Sequence, residues 1–278
     1  MISIKATINE QARAEEQRKI KLENRVTPVI RGLFNQMAKD FENLYIATGS
    51  IFDFNIYTDD WSGALKQQYN RVGKEFLTNI RKSDLIRDFI IKQDEDATVE
   101  QIATIGAAYT IFAADRAGTQ TTFIINTSNL DAIEAVNNAR NDLREEDLFN
   151  EPTREDVAKE ASKNLRKKFR SRVGTIANME TQAPAESAKW IEAAVLSGFP
   201  VLPFQQVEDA PITTTKEWAA VGDERVRPAH IAADGQTVRI EQVFTVDNES
   251  LRFPGDTSLG ASIGNVVNCR CAQVFLKK

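Results

Sequence analysis

Two cysteines, one histidine and three methionines are all that this 278-residue chain holds of the thiol, imidazole and thioether side chains. So few thiols exclude a disulfide framework and suit a reducing compartment. No apolar run reaches the ~18 residues that indicate a membrane span, and the first 25 residues lack the apolar stretch of a secretory leader. The chain therefore reads as a soluble cytosolic product without a membrane contact. Nucleotide signatures are missing too: RFPGDTSLGASIGN is glycine-rich, yet it has neither the lysine and spacing of a P-loop nor the G-x-G-x-x-G pattern. There is no G-x-S-x-G elbow for a nucleophilic serine, no internal repeat and no low-complexity segment. A net charge of -5 excludes a surface that is basic all over, while leaving room for a local basic patch.

What is present is an ordinary folding composition, with 42% hydrophobic and 27% charged residues. Residues 1–25 are polar with little apolar periodicity and read as a weak helix or an arm that needs a partner, the arm being favoured. From Val26, apolar residues recur at three- and four-residue steps through Val29, Ile30, Leu33, Phe34, Met37, Phe41, Leu44 and Tyr45, beginning beside Pro28 and stopping before Gly49, which predicts an amphipathic helix. IFDFNIYTDD reads as a short extended linker to a second helix carrying Leu65, Tyr69, Val72, Phe76 and Ile80. A short helix from Ser83 follows, and Thr98 with Gln101 forms a capping box ahead of Ile102, Ile105, Tyr109 and Phe112. TTFII is strand-like, and another helix carries Leu130, Ile133 and Val136. The expected fold class is α+β: an arm (1–25), a mainly helical domain (26–150) and a small α+β module (151–278) whose strands include VRIEQVFTV and NVVNCRCAQVFL.

That last part opens with a long helix from Thr153 through Val157, Leu165, Phe169, Val173 and Met179, Asp156 standing in for the usual capping glutamate. Its outer face is basic, and Lys163, Lys167 and Arg170 are candidates to face nucleic-acid phosphates, the alternative being a solvated face.

Polar residues then gather in a way that core packing does not require: Trp218, Asp223, Arg225, Arg227, His230, Asp234, Gly235, Pro254, Gly255, Asp256, Asn268, Cys269, Arg270 and Cys271. His230, Asp234, Cys269 and Cys271 are zinc-type ligands, which raises the alternative of a metal- or thiol-dependent enzyme or toxin. C-x-C spacing on a strand puts two thiols on one face with Cα atoms ~6.5 Å apart, unlike the turn of the usual zinc pair, and it does not suit a disulfide. The favoured reading is two small inward-facing side chains, with Arg270 pointing away to fork with Asp223, Asp234 or Asp256. No catalytic residue, cofactor, metal or small-molecule substrate is expected from the residues themselves.

The ordered series WAAVGDERVRPAHIAADGQ, EQVF, LRFPGD and NVVNCRC resembles the C-terminal domain of the phage Mu F-type minor head, or head-morphogenesis, proteins. The likeness covers roughly residues 150–278 and is loose before that. IANMETQ replaces a more usual basic, threonine-rich stretch, and Thr257 follows P-G-D. The resemblance implies a virion protein in few copies, at the capsid interior or portal vertex and made in the host cytoplasm. Its partners would be portal or major capsid protein and packaged DNA, and its motif residues would be structural rather than catalytic.

Overall fold

The structure, a computed structural model, describes residues 4–79, 97–146, 150–201 and 214–277. It is α+β. Four long helices, α1 (Ile4–Thr48), α2 (Thr58–Asn79), α3 (Val99–Glu146) and α4 (Arg154–Leu196), precede short elements. These are β1 (Thr214–Ala219), α5 (Pro228–Ala233), β2 (Thr237–Arg239), β3 (Phe244–Val246), β4 (Glu249–Leu251), α6 (Ile263–Val266) and β5 (Ala272–Lys277). The short helix expected from Ser83 lies outside the described residues. No helix among the described residues is long and apolar enough to cross a membrane.

The chain divides into two compact units, one drawn from 24–67 and 114–177, the other from 1–23, 68–113 and 178–278. In the first, the α1 stripe read from the sequence is buried at Val26, Ile30, Phe34, Met37, Phe41 and Tyr45, half-buried at Leu33 and Leu44 and exposed at Val29, and Phe34 stacks on Phe169 with centroids 4.4 Å apart while meeting Trp61 edge-on at 4.9 Å. Such aromatic pairs each contribute roughly 0.5–1.5 kcal/mol beyond their buried area. Arg172 of α4 lies over the Phe34 ring and pairs with Asp131 at 2.8 Å. The linker expected to be extended is instead a 3-10 turn, Phe54–Tyr57, because the Asp53 carboxylate accepts from Asn55 N–H at 3.0 Å and the two aromatics bury themselves.

TTFII is not a strand. It lies inside α3, burying Ile124 and Ile125 and exposing Phe123. The buried face runs through Ala117, Ile124, Ala132, Ala135, Val136 and Ala139, whereas Leu130 and Ile133 point to solvent. Helical spacing and burial of one face outweigh the β preference of five residues, since propensity is a weak term. Both halves of the capping box at its start are made: Thr98 N–H donates to Gln101 at 2.9 Å, and Gln101 N–H to Thr98 Oγ1 at 3.1 Å.

In the second unit the arm expected over 1–25 is corrected: residues 4–25 are the opening turns of α1, which continues through Pro28. Ile8, Ala12, Glu15, Glu16 and Lys19 are buried. α4 likewise runs on past the expected end at Met179, through Pro184. From Glu180 to Val195 every residue but half-buried Trp190 is buried, polar ones included. Glu186 receives Lys19 Nζ at 2.5 Å, Lys189 Nζ at 3.0 Å and the Gln273 N–H at 3.0 Å. Lys189 also holds Glu15 at 2.5 Å and the Gln273 carbonyl at 3.0 Å. Burial alone would push the Glu186 carboxyl up, but Lys189, Lys19 and these hydrogen bonds hold it below its ordinary value.

A sheet of order β2-β1-β5, antiparallel throughout, is joined to this lattice by Gln273 on β5. VRIEQVFTV is not one strand. It breaks at 240–243, where Gln242 N–H bonds the Arg239 carbonyl at 3.0 Å, and leaves β3 to pair with β4 across Asp247 and Asn248, both at positive φ. That is the backbone a two-residue type I′ hairpin needs.

Removing the Glu186 carboxylate leaves two buried ammonium groups short of a partner. Glu186→Ala is therefore expected to cost about 3 to 5 kcal/mol, read as a lower urea midpoint; an unchanged midpoint would show that the lattice contributes nothing.

Candidate functional site

The motif residues converge in the second unit, around a core of Trp218, Ala233, Phe244, Val246, Leu251, Val266, Cys269 and Cys271. Trp218 sits on β1, fully buried, edge-on to Phe244 at 5.3 Å and to His230 at 5.6 Å. Its flanks are fixed by backbone bonds: Trp218 N–H to the Gln236 carbonyl at 2.9 Å, and Gly235 N–H to the Trp218 carbonyl at 2.8 Å. Gly235 needs its positive φ of 84° to make that turn.

Most of the polar residues tie loops together. Asp234 accepts from Ala220 N–H at 2.9 Å. Arg227 caps α5 and donates to the Val267 carbonyl. Asp256 accepts from Arg252 N–H at 2.9 Å and Ser258 N–H at 2.8 Å, closing the turn after Pro254. Gly255 has φ 85°, and a Cβ there would stand 3.1 Å from Gln182 Cγ on α4, so the P-G-D turn packs directly on the buried helix. Arg270 forks as expected, but to Asp223 and to Glu16 of α1, the latter at 3.0 Å. Asp223 is also bonded by Arg225, through N–H at 3.0 Å and guanidinium at 3.2 Å. Sequence reasoning missed Glu16 and Gln182, since nothing in a helix-like polar stretch marks which residues turn inward.

The cysteines differ from expectation in one respect. Both are buried and free, but they precede β5 rather than lying in it. Asn268 adopts a left-handed backbone, φ 52°, and residues 269–271 carry no strand ladder. The ~6.5 Å spacing of an ideal strand therefore does not govern them, and both sulfurs turn to one point. His230 Nδ1 lies 3.7 Å from Cys269 Sγ and 3.4 Å from Cys271 Sγ. The Cys271 carbonyl is held by Gln182 at 2.7 Å. A hydrogen bond from Cys271, reinforced by His230, pulls the Cys269 thiol well below its ordinary value, while the same bond and burial push Cys271 well above it. The buried Trp218 indole nitrogen, with no nitrogen or oxygen partner among the described residues, lies against Cys271 and favours its thiolate.

The basic face of α4 lies in the other unit. Lys163, Lys167 and Arg170 line a cleft there with Lys159 and Arg166. Carboxylates offset part of it, Glu155 on Lys159, Glu160 on Lys163 and Glu42 on Arg166, whereas Lys167 and Arg170 are exposed with no ion pair among the described residues.

Compared with known proteins, residues 148–274 match the model of the family described as Phage Mu protein F like protein. No curated protein and no solved structure matches the chain.

Lys216, fully buried on β1, donates to the Arg252 carbonyl at 2.6 Å and lies over the Phe244 ring at 4.8 Å. Burial, then the Arg252 charge, lowers its pKa to about 7. Between that value and the free-lysine value the unfolded chain binds more protons, so this group makes stability rise with pH from 7 toward 10, by at most about 1.4 kcal/mol per pH unit. Urea midpoints across that range should climb less steeply in Lys216→Met; parallel curves would contradict a neutral buried amine.

Proposed function

We propose, from the phage Mu F-like head-morphogenesis family to which residues 148–274 belong, that this chain is a minor structural protein of a tailed-phage or prophage-derived head. It acts in capsid assembly or genome exit by contacting the portal or the capsid interior. The family match carries the reading. The geometry around it agrees with a structural role: Asp223, Arg227, Asp234, Asp256 and Arg270 each spend their polar groups on neighbouring segments of the same unit. Their hydrogen bonds hold turns and strand ends in place. The virion is then the site of action, and the surfaces outside the motif are what meet the partners.

Quantitative mass spectrometry of purified particles checks this. The chain should be present at or below the copy number of the portal protein. Absence from particles that contain portal and major capsid protein would contradict a resident head component.

A second, narrower reading is supported by the cleft lined by Lys163, Lys167 and Arg170: these residues face packaged DNA. Each phosphate contact contributes about 0.9 to the slope of log affinity against log salt. Replacing the three by glutamine should flatten that slope by about 2 to 3, measured by fluorescence anisotropy on duplex DNA. Binding that is insensitive to salt would leave the face as solvated surface.

A further inference from the structure

His230, Cys269 and Cys271 are brought together across 39 and 41 residues of chain, and their ligand atoms all lie within 4.8 Å of one another. All three are buried. Nothing in the head-protein reading uses them. Tetrahedral zinc, with Zn–S near 2.3 Å and Zn–N near 2.0–2.1 Å, sets the N···S edge of its ligand cage at about 3.5 to 3.6 Å. The observed edges, 3.4 and 3.7 Å, bracket that value, so both N···S edges suit one ion held by the three atoms.

The surroundings suit such an ion. The trio is enclosed in a dry core of tryptophan, phenylalanine and aliphatic side chains, where metal-free thiolates would be costly without a compensating cation. Lys19, the ammonium that reaches the Cys271 carbonyl, is already committed to Glu186 at 2.5 Å. The Trp218 indole N–H stands against the Cys271 sulfur as a donor suited to a metal-bound thiolate. Beside the trio opens a small cleft lined by Arg225, Arg227, Asn268 and Arg270, with room for about one water molecule. Asp234, the fourth ligand type read from the sequence, is instead bonded to Ala220 N–H.

We propose that His230 Nδ1, Cys269 Sγ and Cys271 Sγ hold a zinc ion whose fourth ligand is a water in that cleft. Both cysteines bind as thiolates, and the protons they carry pass to solvent as the metal enters. The ion cross-links α5 to the segment leading into β5, supplementing the small core of a module made of very short strands.

The test uses the full chain purified without chelator. Elemental mass spectrometry should find about one zinc per chain, falling at least about tenfold in Cys269→Ser and in His230→Ala. Because those variants can lose the fold, the wild-type chain is also stripped and titrated with Co²⁺. About one equivalent should produce the intense d–d and thiolate-to-cobalt bands of tetrahedral sulfur ligation. A wild-type chain that circular dichroism shows folded, yet that carries no zinc and gives no such bands, overturns the site. So does zinc retained at full stoichiometry in folded variants.

Discussion

A carboxylate buried in the last turns of a long helix governs how the second unit is put together. Glu186 lies out of contact with water, where an unpaired anion would be untenable, and it is made acceptable by two lysines and a backbone N–H from three places in the chain. Lys19 comes from the first turns of α1, Lys189 from the next turn of α4, and the Gln273 amide from the terminal strand. Lys189 in turn fixes Glu15, so α1 is held twice. Electrostatic geometry of this kind is unforgiving, because each group is tolerable only while the others are in place. The outcome is that segments more than 160 residues apart in sequence share one polar core.

The motif residues build outward from that core. Gln182, one turn before Glu186, holds the Cys271 carbonyl; Gly255 packs the P-G-D turn against Gln182 and Ala183; Arg270 reaches back to Glu16 on α1. The likeness to head-morphogenesis proteins was read on roughly residues 150–278, with its motif from Trp218 to Cys271, yet those motif residues depend on partners in α1 and α4. A motif whose glycines, aspartates and arginines are spent on internal bonds is one that specifies a shape. That agrees with the structural role proposed for the chain.

Large side chains at helical spacing were legible in the sequence, as Phe34, Tyr69 and Phe169 show, because each is too costly to leave in water. So was the Thr98–Gln101 cap, a local device that needs no tertiary partner. The alanine face of α3 was not: Ala132, Ala135 and Ala139 carry little hydropathy, and Leu130 and Ile133 drew attention to the wrong side. The burial of the polar turns of α4 beyond Met179 and of the opening turns of α1 was not, since charge pairs that satisfy one another at long range leave no period in either segment. For the cysteines, ideal strand geometry was applied to a stretch that Asn268 turns out of the strand. Residue identities at the motif were readable; the backbone that aims them was not.

If the Glu186 lattice does unite these segments, they open together. Native-state hydrogen exchange across residues 4–23, 180–196 and 272–277 addresses this directly. The account predicts that the slowest amides of all three segments exchange with a common opening free energy and shift together as urea is added. Amides of the first segment exchanging orders of magnitude faster, without the urea dependence of the terminal strand, would show that α1 begins as a loosely held arm after all and that the buried carboxylate does not organise the unit.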